Sequence, residues 1–569
     1  MSSEFIITPE VNSTQEFIEI AQDFSNPLDL VREAISNAFD AKAKNILLDF
    51  SVITESGEKI LKIMITDDGK GMNKQGLQSF FDLGNSLNGL DNEAIGEKGH
   101  GTKVYFNSRK IEVVTVQNGK KYHATMDGPK KALYEKQIPE VKVSVEDANG
   151  IESGTSITIF GYNNDRRDRF THEQLKDYIL WFTKFGSVEK QFGIETNSDV
   201  KLKLKGVDRK EYEELTYGHV FPAESVTVSE LFDEHMVDAP KWYCKKIVKT
   251  GVLKNSPEVS YQAVFYVEGT KVKHSYNPMI RRSGYTPPEG SYTVQDRYGV
   301  WLCKDFMPIQ RKNEWVASKG AEYTRLHAFV NCQDLRLTAN RGSIENTPSE
   351  ILQDLKDAIK KIYDDIISSD DWSDLEWLES EVVAYNTVEK EKKDFKKRLD
   401  RVNRARTAVY KDITLVEPQQ ENGVYSIFMQ LSNIEPNLFP FTIVDYDTHS
   451  GIDVIVKAQD KIPIKTSKLY YVEFKNYLQK DFNHSFENLH SIVCWDINLN
   501  EIRCDEEVED VAKKKRTLII VQPEDENDYT HYFLDARRDG RKIEVFVLKN
   551  YLEEKLKIRF APRTEDAIL

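Results

Sequence analysis

Glu33, Asn37 and Asp40 recur at i, i+4 and i+7 within VREAISNAFDAKAK (Val31–Lys44). On a helix that spacing places two carboxylates and an amide along one face, beside a small apolar flank of Ala34, Ile35, Ala38 and Ala41. A carboxylate in such a place can take a proton from water, and an amide oxygen is a ligand for a hard cation. ITDDGKGM (Ile65–Met72) follows a strand pattern, with Asp67 at the strand's end. Gly69 and Gly71 there let the backbone turn tightly against a ligand. GEKGHGTK (Gly96–Lys103) is a second glycine loop, set before a predicted helical turn whose N–H groups suit phosphate. SGTSITI (Ser153–Ile159) puts Gly154 and Thr155 at the entrance of a further strand.

The elements that must position these residues alternate. A helix is predicted over 28–42, then strands in NILLDFSV and EKILKIMITDDG, a helix in KQGLQSFFDLG, and a polar loop in NSLNGLDNEAIGEKGHG. RKIEVVTVQNGKKYHATMDG reads as two strands joined by an Asn-Gly turn. FTHEQLKDYILWFTKFG is an amphipathic helix that closes this unit, giving a sheet covered by helices on one face. A β-rich α+β stretch follows to about residue 345, then helix from SEILQDLKDAIKKIYDDI through WLESEVVAYNTVEKEKKDFKKRLDRVNRARTAV. The last unit carries strands in FTIVDYD, GIDVIVKA, KLYYVEFKNYL, RTLIIVQ and KIEVFVLKNYL.

The N-terminal motifs, taken in order, resemble the GHKL ATPase superfamily of gyrase-type ATPases, MutL, histidine kinases, heat-shock chaperones and MORC proteins. ExxxNxxD is matched by Glu33, Asn37 and Asp40; DxGxG by Asp67, Gly69 and Gly71; GxxGxG by Gly96, Gly99 and Gly101; the terminal Gly-Thr by Gly154 and Thr155. The resemblance covers residues 28–165 and implies a Bergerat-fold ATP site. In it Glu33 is the general base on the attacking water, Asn37 holds Mg²⁺, and Asp67 accepts a hydrogen bond from the adenine amino group. Asp40, Thr155 and the glycines line the nucleotide. Thr102 and Lys103 face the phosphates, with Lys98 a further candidate in the lid. FVNCQDLRLTANRGSIENTP (Phe329–Pro348) resembles the chaperone segment in which an Arg enters the ATP site, and Arg341 falls there, with Arg336 and Lys312 as fallbacks. Residues 200–365 then correspond to the transducer domain. LGNS (Leu83–Ser86) is similar to the lid start of MORC proteins. Relatives with this layout dimerise when ATP is bound, which implies an ATP-gated homodimeric clamp.

At the C-terminus, Asp453 precedes one strand, and Glu473 and Lys475 alternate on the next, facing the same side. An acid followed by E-x-K resembles the PD-(D/E)xK nuclease core, although "PD" is here "ID". That resemblance implies two carboxylates holding Mg²⁺ or Mn²⁺ and a lysine serving the attacking water. An upstream helical acid completes such sites; Glu421 is the first choice, Glu435 the second, with Asp445 and Asp447 as substitutes. His484, His490 and Asp496 lie downstream, where one could assist and a packed histidine is the plainer reading.

The expected architecture is α+β and multidomain. It comprises a Bergerat-fold α/β sandwich ATPase (1–195), a transducer-type α+β domain (196–365), a helical connector (366–410) and a C-terminal α/β restriction-endonuclease-like domain (411–569). The 569 residues accommodate about three to four domains of ~150 residues. The five cysteines have no CxxC spacing, which favours isolated core thiols in a reducing compartment over a disulfide framework or zinc site. No apolar run nears the ~18 residues of a membrane helix, and MSSEFIITPEV lacks a signal peptide's basic head, so a cytoplasmic protein is expected. A net charge of −15 confines any DNA contact to local basic zones such as Lys390–Arg406. These readings combine into an ATP-dependent DNA-processing enzyme, an ATP-gated clamp coupled to a metal-dependent nuclease. Defence against phage or other foreign DNA, with partner proteins, is a fitting setting. The alternatives are a MORC-like DNA-compacting clamp with an inactive nuclease fold, or a protein-remodelling chaperone.

Overall fold

Alternating apolar runs between residues 45 and 215 assemble into one eight-stranded sheet in the computed structural model of the chain. The structure describes residues 12–22, 26–82, 101–148, 150–316, 322–338, 341–447, 453–498, 500–525, 527–536 and 540–563. The chain divides into two units, 1–386 and 387–569.

In the first unit the strands are β1 (Asn45–Glu55), β2 (Glu58–Asp67), β3 (Lys110–Gln117), β4 (Lys120–Asp127), β5 (Val141–Asp147), β6 (Gly154–Phe160), β7 (Lys201–Lys205) and β8 (Glu213–Leu215). Their order is β5-β4-β3-β6-β2-β1-β7-β8, antiparallel except for the β1–β7 pair. The β3–β4 turn has Asn118 and Gly119 at φ +49° and +71°, the left-handed pair that an Asn-Gly hairpin supplies. This sheet takes in β7 and β8 and so runs past residue 195. Helix Asp29–Asp40 buries Leu30, Val31, Ala34, Ile35, Ala38 and Phe39 against Leu48, Phe50, Ile63 and Ile111. Each large apolar side chain placed there contributes roughly 1.5–3 kcal/mol. Helix His172–Phe182 adds Leu175, Tyr178 and Ile179 to the same core.

A second sheet of the same unit contains β9 (Cys244–Val252), β10 (Ser260–Glu268), β11 (Gly299–Lys304), β12 (Met307–Arg311) and β13 (Leu326–Asn331), ordered β12-β11-β13-β10-β9. Its core includes Leu355, Ile359, Ile362 and Ile366 of helix Ser349–Ile367. The long helical stretch breaks at Ser368 and Ser369 and resumes as Asp370–Arg404, and residues expected to continue it form a strand, β14 (Thr407–Tyr410). The division at residue 386 falls inside that second helix.

The second unit pairs β14 with β15 (Ile413–Val416) and builds a further eight-stranded sheet. The strands are β16 (Phe441–Tyr446), β17 (Val454–Ala458), β18 (Leu469–Leu478), β19 (Leu489–Ile497), β20 (Glu507–Glu509), β21 (Lys515–Val521), β22 (His531–Asp535) and β23 (Lys542–Val547). They run β16-β17-β18-β19-β23-β22-β21-β20, with β18–β19 and β19–β23 parallel. The expected strand KIEVFVLKNYL ends at Val547; helix Leu548–Leu556 takes over, because Leu548, Tyr551 and Leu552 share the buried face that helical spacing creates. Among the described residues the cysteines are unpaired, and no helix is long and apolar enough to cross a membrane.

Candidate functional site

A cavity of about 440 Å³ opens between helix Asp29–Asp40 and the ends of β2 and β6. Glu33, Asn37, Asp40, Asp67, Gly71, Gly101, Thr102 and Thr155 line it, so the motif residues scattered over the sequence meet at one place. Gly96, Gly99, Lys98 and Leu83–Ser86 lie outside the described residues.

The turn after β2 is held from several sides. Asp68 accepts the N–H groups of Lys44 at 2.7 Å and Asn45 at 2.8 Å, and the Asn45 side chain at 2.7 Å. Lys70 N–H donates to the Ala41 carbonyl at 2.9 Å, closing the turn onto the helix end. The Gln117 amide donates to the Lys70 and Gly71 carbonyls, both at 3.0 Å, and Met72 N–H donates to Thr115 Oγ1 at 2.8 Å. Thr115 and Thr155 hydroxyls stand 3.1 Å apart across β3 and β6. Asn73 caps helix Lys74–Phe81 by accepting Gly76 N–H at 2.8 Å, which sets Ser79 and Phe80 on the cavity wall. Thr115 and Gln117 escaped the sequence reading. Their signal was a polar pair at i, i+2 at the end of a strand whose other polar residues, Lys110 and Glu112, fall on the opposite parity.

Gly71 sits at φ +67°, and a Cβ there would overlap the Val116 carbonyl. Gly71→Ala is expected to destabilise the protein by about 1–3 kcal/mol through that left-handed backbone, more once the collision is included; urea unfolding measures it. A Cβ on Gly101 would overlap the Glu33 carboxylate, so this glycine exists to let the loop pass the acid.

Burial dominates the electrostatics. It raises the Glu33 carboxyl above the usual range, while the charges of Arg32 and Arg341 pull it back. Burial also pushes Asp67 up to about 6, opposed by the Gly69 N–H, which it accepts at 2.9 Å, and aided by Asp68. Tyr105 presents its buried hydroxyl to Asn37 without reaching hydrogen-bond geometry. Arg341 pairs with Asp305 at 2.8 Å, whereas Lys312 pairs with Glu314 at 3.7 Å and the Arg336 backbone is tied to Thr347.

Lys103 departs from expectation. It does not line the cavity; it is fully buried, donating to the Phe80 carbonyl at 3.0 Å and Thr102 Oγ1 at 2.8 Å, and burial brings its ammonium down to about 7. Gly101–Phe106 is a 3₁₀ helix, and its three-residue turn directs neighbouring side chains to different sides.

In the second unit, Glu421 begins helix Glu421–Ile434, which docks on β18 through Phe428 and Phe474, ring centroids 5.4 Å apart. Lys475 Nζ lies 3.2 Å from Glu421 Oε2 and 2.6 Å from Glu473 Oε1. Asp453 donates its N–H to Glu473 Oε2 at 3.2 Å and accepts Phe474 N–H at 3.2 Å. His484 Nε2 stands 3.1 Å from Glu473 Oε1, carried there by a connection between β18 and β19 that is anchored by buried Phe482 and Phe486 and contains no helix. Burial raises both Glu421 and Asp453, partly offset by Lys475. Burial lowers Lys475, but its Glu473 hydrogen bond and the charges of Glu473, Glu421 and Asp453 outweigh that and raise it.

Among the described residues, no group of three or more His, Cys, Asp and Glu side chains is arranged to hold a metal ion. Here the Lys475 ammonium stands between the carboxylates that a cation would bridge. Among the described residues, Glu435, His490 and Asp496 bond groups other than Glu421, Asp453, Glu473 and Lys475. Glu435 pairs with Tyr410 and Lys411, Asp447 gives its N–H to the Asp453 carbonyl, and Asp445 is exposed on β16. His490 bonds Ser491 at 2.7 Å, and Asp496 bonds Lys549 at 2.5 Å.

A mixed sheet with a helix over one end, an acid and an amide on that helix, and a half-buried aspartate at the strand's end fit a nucleotide-binding α/β sandwich. Residues 27–156 match the family of histidine kinase-, DNA gyrase B- and HSP90-like ATPases. The chain therefore carries a GHKL-type ATPase domain; such ATPases bind ATP and Mg²⁺ and commonly dimerise. No curated protein matches the chain.

Proposed function

We propose that this chain is an ATP-dependent DNA-processing enzyme in which an ATP-gated homodimer of the N-terminal layer controls a metal-dependent nuclease in the second unit, in defence against phage or other foreign DNA. The observation that carries the DNA part is the convergence of Glu421, Asp453, Glu473 and Lys475 where helix Glu421–Ile434 meets β17 and β18, in a chain that also bears an ATPase domain.

The ATP cavity's residues suit the nucleotide. Gly101 and Thr102 border the cavity beside Glu33, the Asn37 amide is at hand for Mg²⁺, and the half-buried Asp67 has an acceptor to offer an amino group. Mg²⁺ there would neutralise phosphate charge. Glu33 would take the proton of the attacking water, and Arg341 would bring positive charge to the reacting end. At the second site Glu421, Asp453 and Glu473 would hold Mg²⁺ or Mn²⁺ once Lys475 moves aside to the attacking water.

Asp67→Asn separates recognition from stability. A carboxyl raised in the folded state binds protons more readily there than in the unfolded chain. Its contribution to stability therefore falls as pH rises from the ordinary carboxylate range through about 6. Asn removes that charge, so Tm should rise at pH 7.5 and change little at pH 4. ATP affinity should drop by about 1–3 kcal/mol, since the Asn oxygen stays with the Gly69 N–H and an NH₂ donor replaces the carboxylate oxygen that would accept from the adenine amino group. Calorimetry and thermal melts read the two effects, and in the parent protein affinity should fall as pH drops through about 6.

The test of the proposed activity is incubation of the full chain with plasmid, ATP and Mg²⁺ or Mn²⁺. ATP-dependent nicking or linearisation supports the proposal. ATP-dependent DNA binding without cleavage under either metal replaces it with a MORC-like clamp, the reading favoured by the helix-free β18–β19 connection. Absence of any DNA effect leaves the chaperone reading.

A further inference from the structure

The two-residue turn between β11 and β12 is Asp305–Phe306, and both residues have positive φ, +54° and +61°. Such a turn normally takes Asn-Gly or Asp-Gly; a phenylalanine in the left-handed region is strained and persists only where its surroundings over-determine it. They do so here. Phe306 N–H donates to Asn331 Oδ1 at 2.8 Å, and its carbonyl accepts Val188 N–H at 3.2 Å. Its ring lies 5.8 Å from that of Phe192 and 5.7 Å from the Lys184 ammonium. Lys184, which also pairs with Glu189 at 2.5 Å, donates to the Asp305 carbonyl at 3.2 Å. The hairpin tip of the second sheet is thus fastened into segment 184–192 of the ATPase layer.

One group of that tip faces elsewhere. The Asp305 carboxylate binds Arg341 Nη2 at 2.8 Å, in a pair whose side chains are 25% and 15% exposed. Arg341 itself holds φ +56°, and its charge acts on the buried Glu33 carboxyl. A long cation on a loop loses little by swinging away; a charge-assisted bond to a rigid turn removes that freedom. The geometry points to Asp305 as the positioning residue that fixes the Arg341 guanidinium on the side of the buried Glu33 carboxyl. This rests on the ATPase reading above. The strained turn then has a purpose: it delivers a carboxylate at fixed position from one sheet to a cation serving the other.

The experiment is a double-mutant cycle on the full chain, with steady-state ATP hydrolysis and calorimetry of a non-hydrolysable adenine nucleotide. Asp305→Asn should lower kcat about tenfold with KM changed less than twofold, since an interaction made in the transition state is weakened. In an Arg341→Ala background the same change should have no effect, a non-additivity that a merely structural role does not produce. Asp305→Glu should restore part of kcat, and the melting curve of Asp305→Asn should overlay that of the parent. Additive losses, or an unchanged kcat, overturn the assignment while leaving ATP hydrolysis established. A parent protein that neither binds nor hydrolyses ATP overturns the ATPase reading instead.

Discussion

Glu33→Gln is expected to cut ATP turnover by about 10²–10⁴-fold, the usual contribution of a positioned general base, while nucleotide still binds. Gln keeps the volume and the close approach to Gly101, so the cavity wall is unchanged. What disappears is the basic oxygen. Two opposed influences tune it: burial raises the carboxyl, and the Arg32 and Arg341 charges draw it down. The raised value makes it a stronger base toward water than an exposed glutamate. The same shift predicts a pH profile. Turnover by the parent protein should fall as pH drops through a value above the ordinary carboxylate range, because the protonated acid accepts nothing. Arg341→Ala should move that inflection further upward by removing a charge that favours the carboxylate. Single-turnover hydrolysis across pH, paired with calorimetry of a non-hydrolysable analogue, checks both. Loss of binding together with hydrolysis would assign Glu33 to the nucleotide's grip and not to the water.

The ATP cavity was legible because its determinants are local. Glu33, Asn37 and Asp40 need only helical spacing, and Asp67 needs only a strand that stops, so short stretches of sequence fix their directions. Lys103 shows where that logic ends. Beside Thr102 in a 3₁₀ turn, it points inward to the Phe80 carbonyl, a direction that depends on the neighbouring core. Thr115 and Gln117 act through register, which sets which strand faces the Gly71 turn. The Asp305–Arg341 pair joins positions 36 residues apart through a turn that sequence rules assign to glycine. In the second unit the Glu473-x-Lys475 alternation was readable, and Glu421 was findable as a helix start, yet His484 reaches Glu473 through a loop with no periodicity at all.

Lys475→Ala should abolish DNA cleavage, by about 10²-fold or more if Lys475 serves the attacking water, and leave ATP hydrolysis near the parent rate. Its second effect runs the other way. Lys475 is the cation that Glu421 and Glu473 share, at 3.2 and 2.6 Å, and its charge restrains the upward shift of Glu421 and Asp453. Without it three acids face one another with only the His484 imidazole, 3.1 Å from Glu473, beside them, and two remedies exist: take up protons or take up a cation. At pH 8 the second wins, so Mn²⁺ should bind more tightly to Lys475→Ala than to the parent, as electron paramagnetic resonance of free Mn²⁺ reports. Glu473→Gln gives the contrasting pair, with weaker Mn²⁺ binding and no cleavage. Tighter metal with no cutting therefore identifies a lysine that acts on water beside an ion held by carboxylates. Cleavage that survives Lys475→Ala assigns the lysine to charge balance alone, and a parent protein that takes up no Mn²⁺ at this cluster removes the metal from the second unit's chemistry.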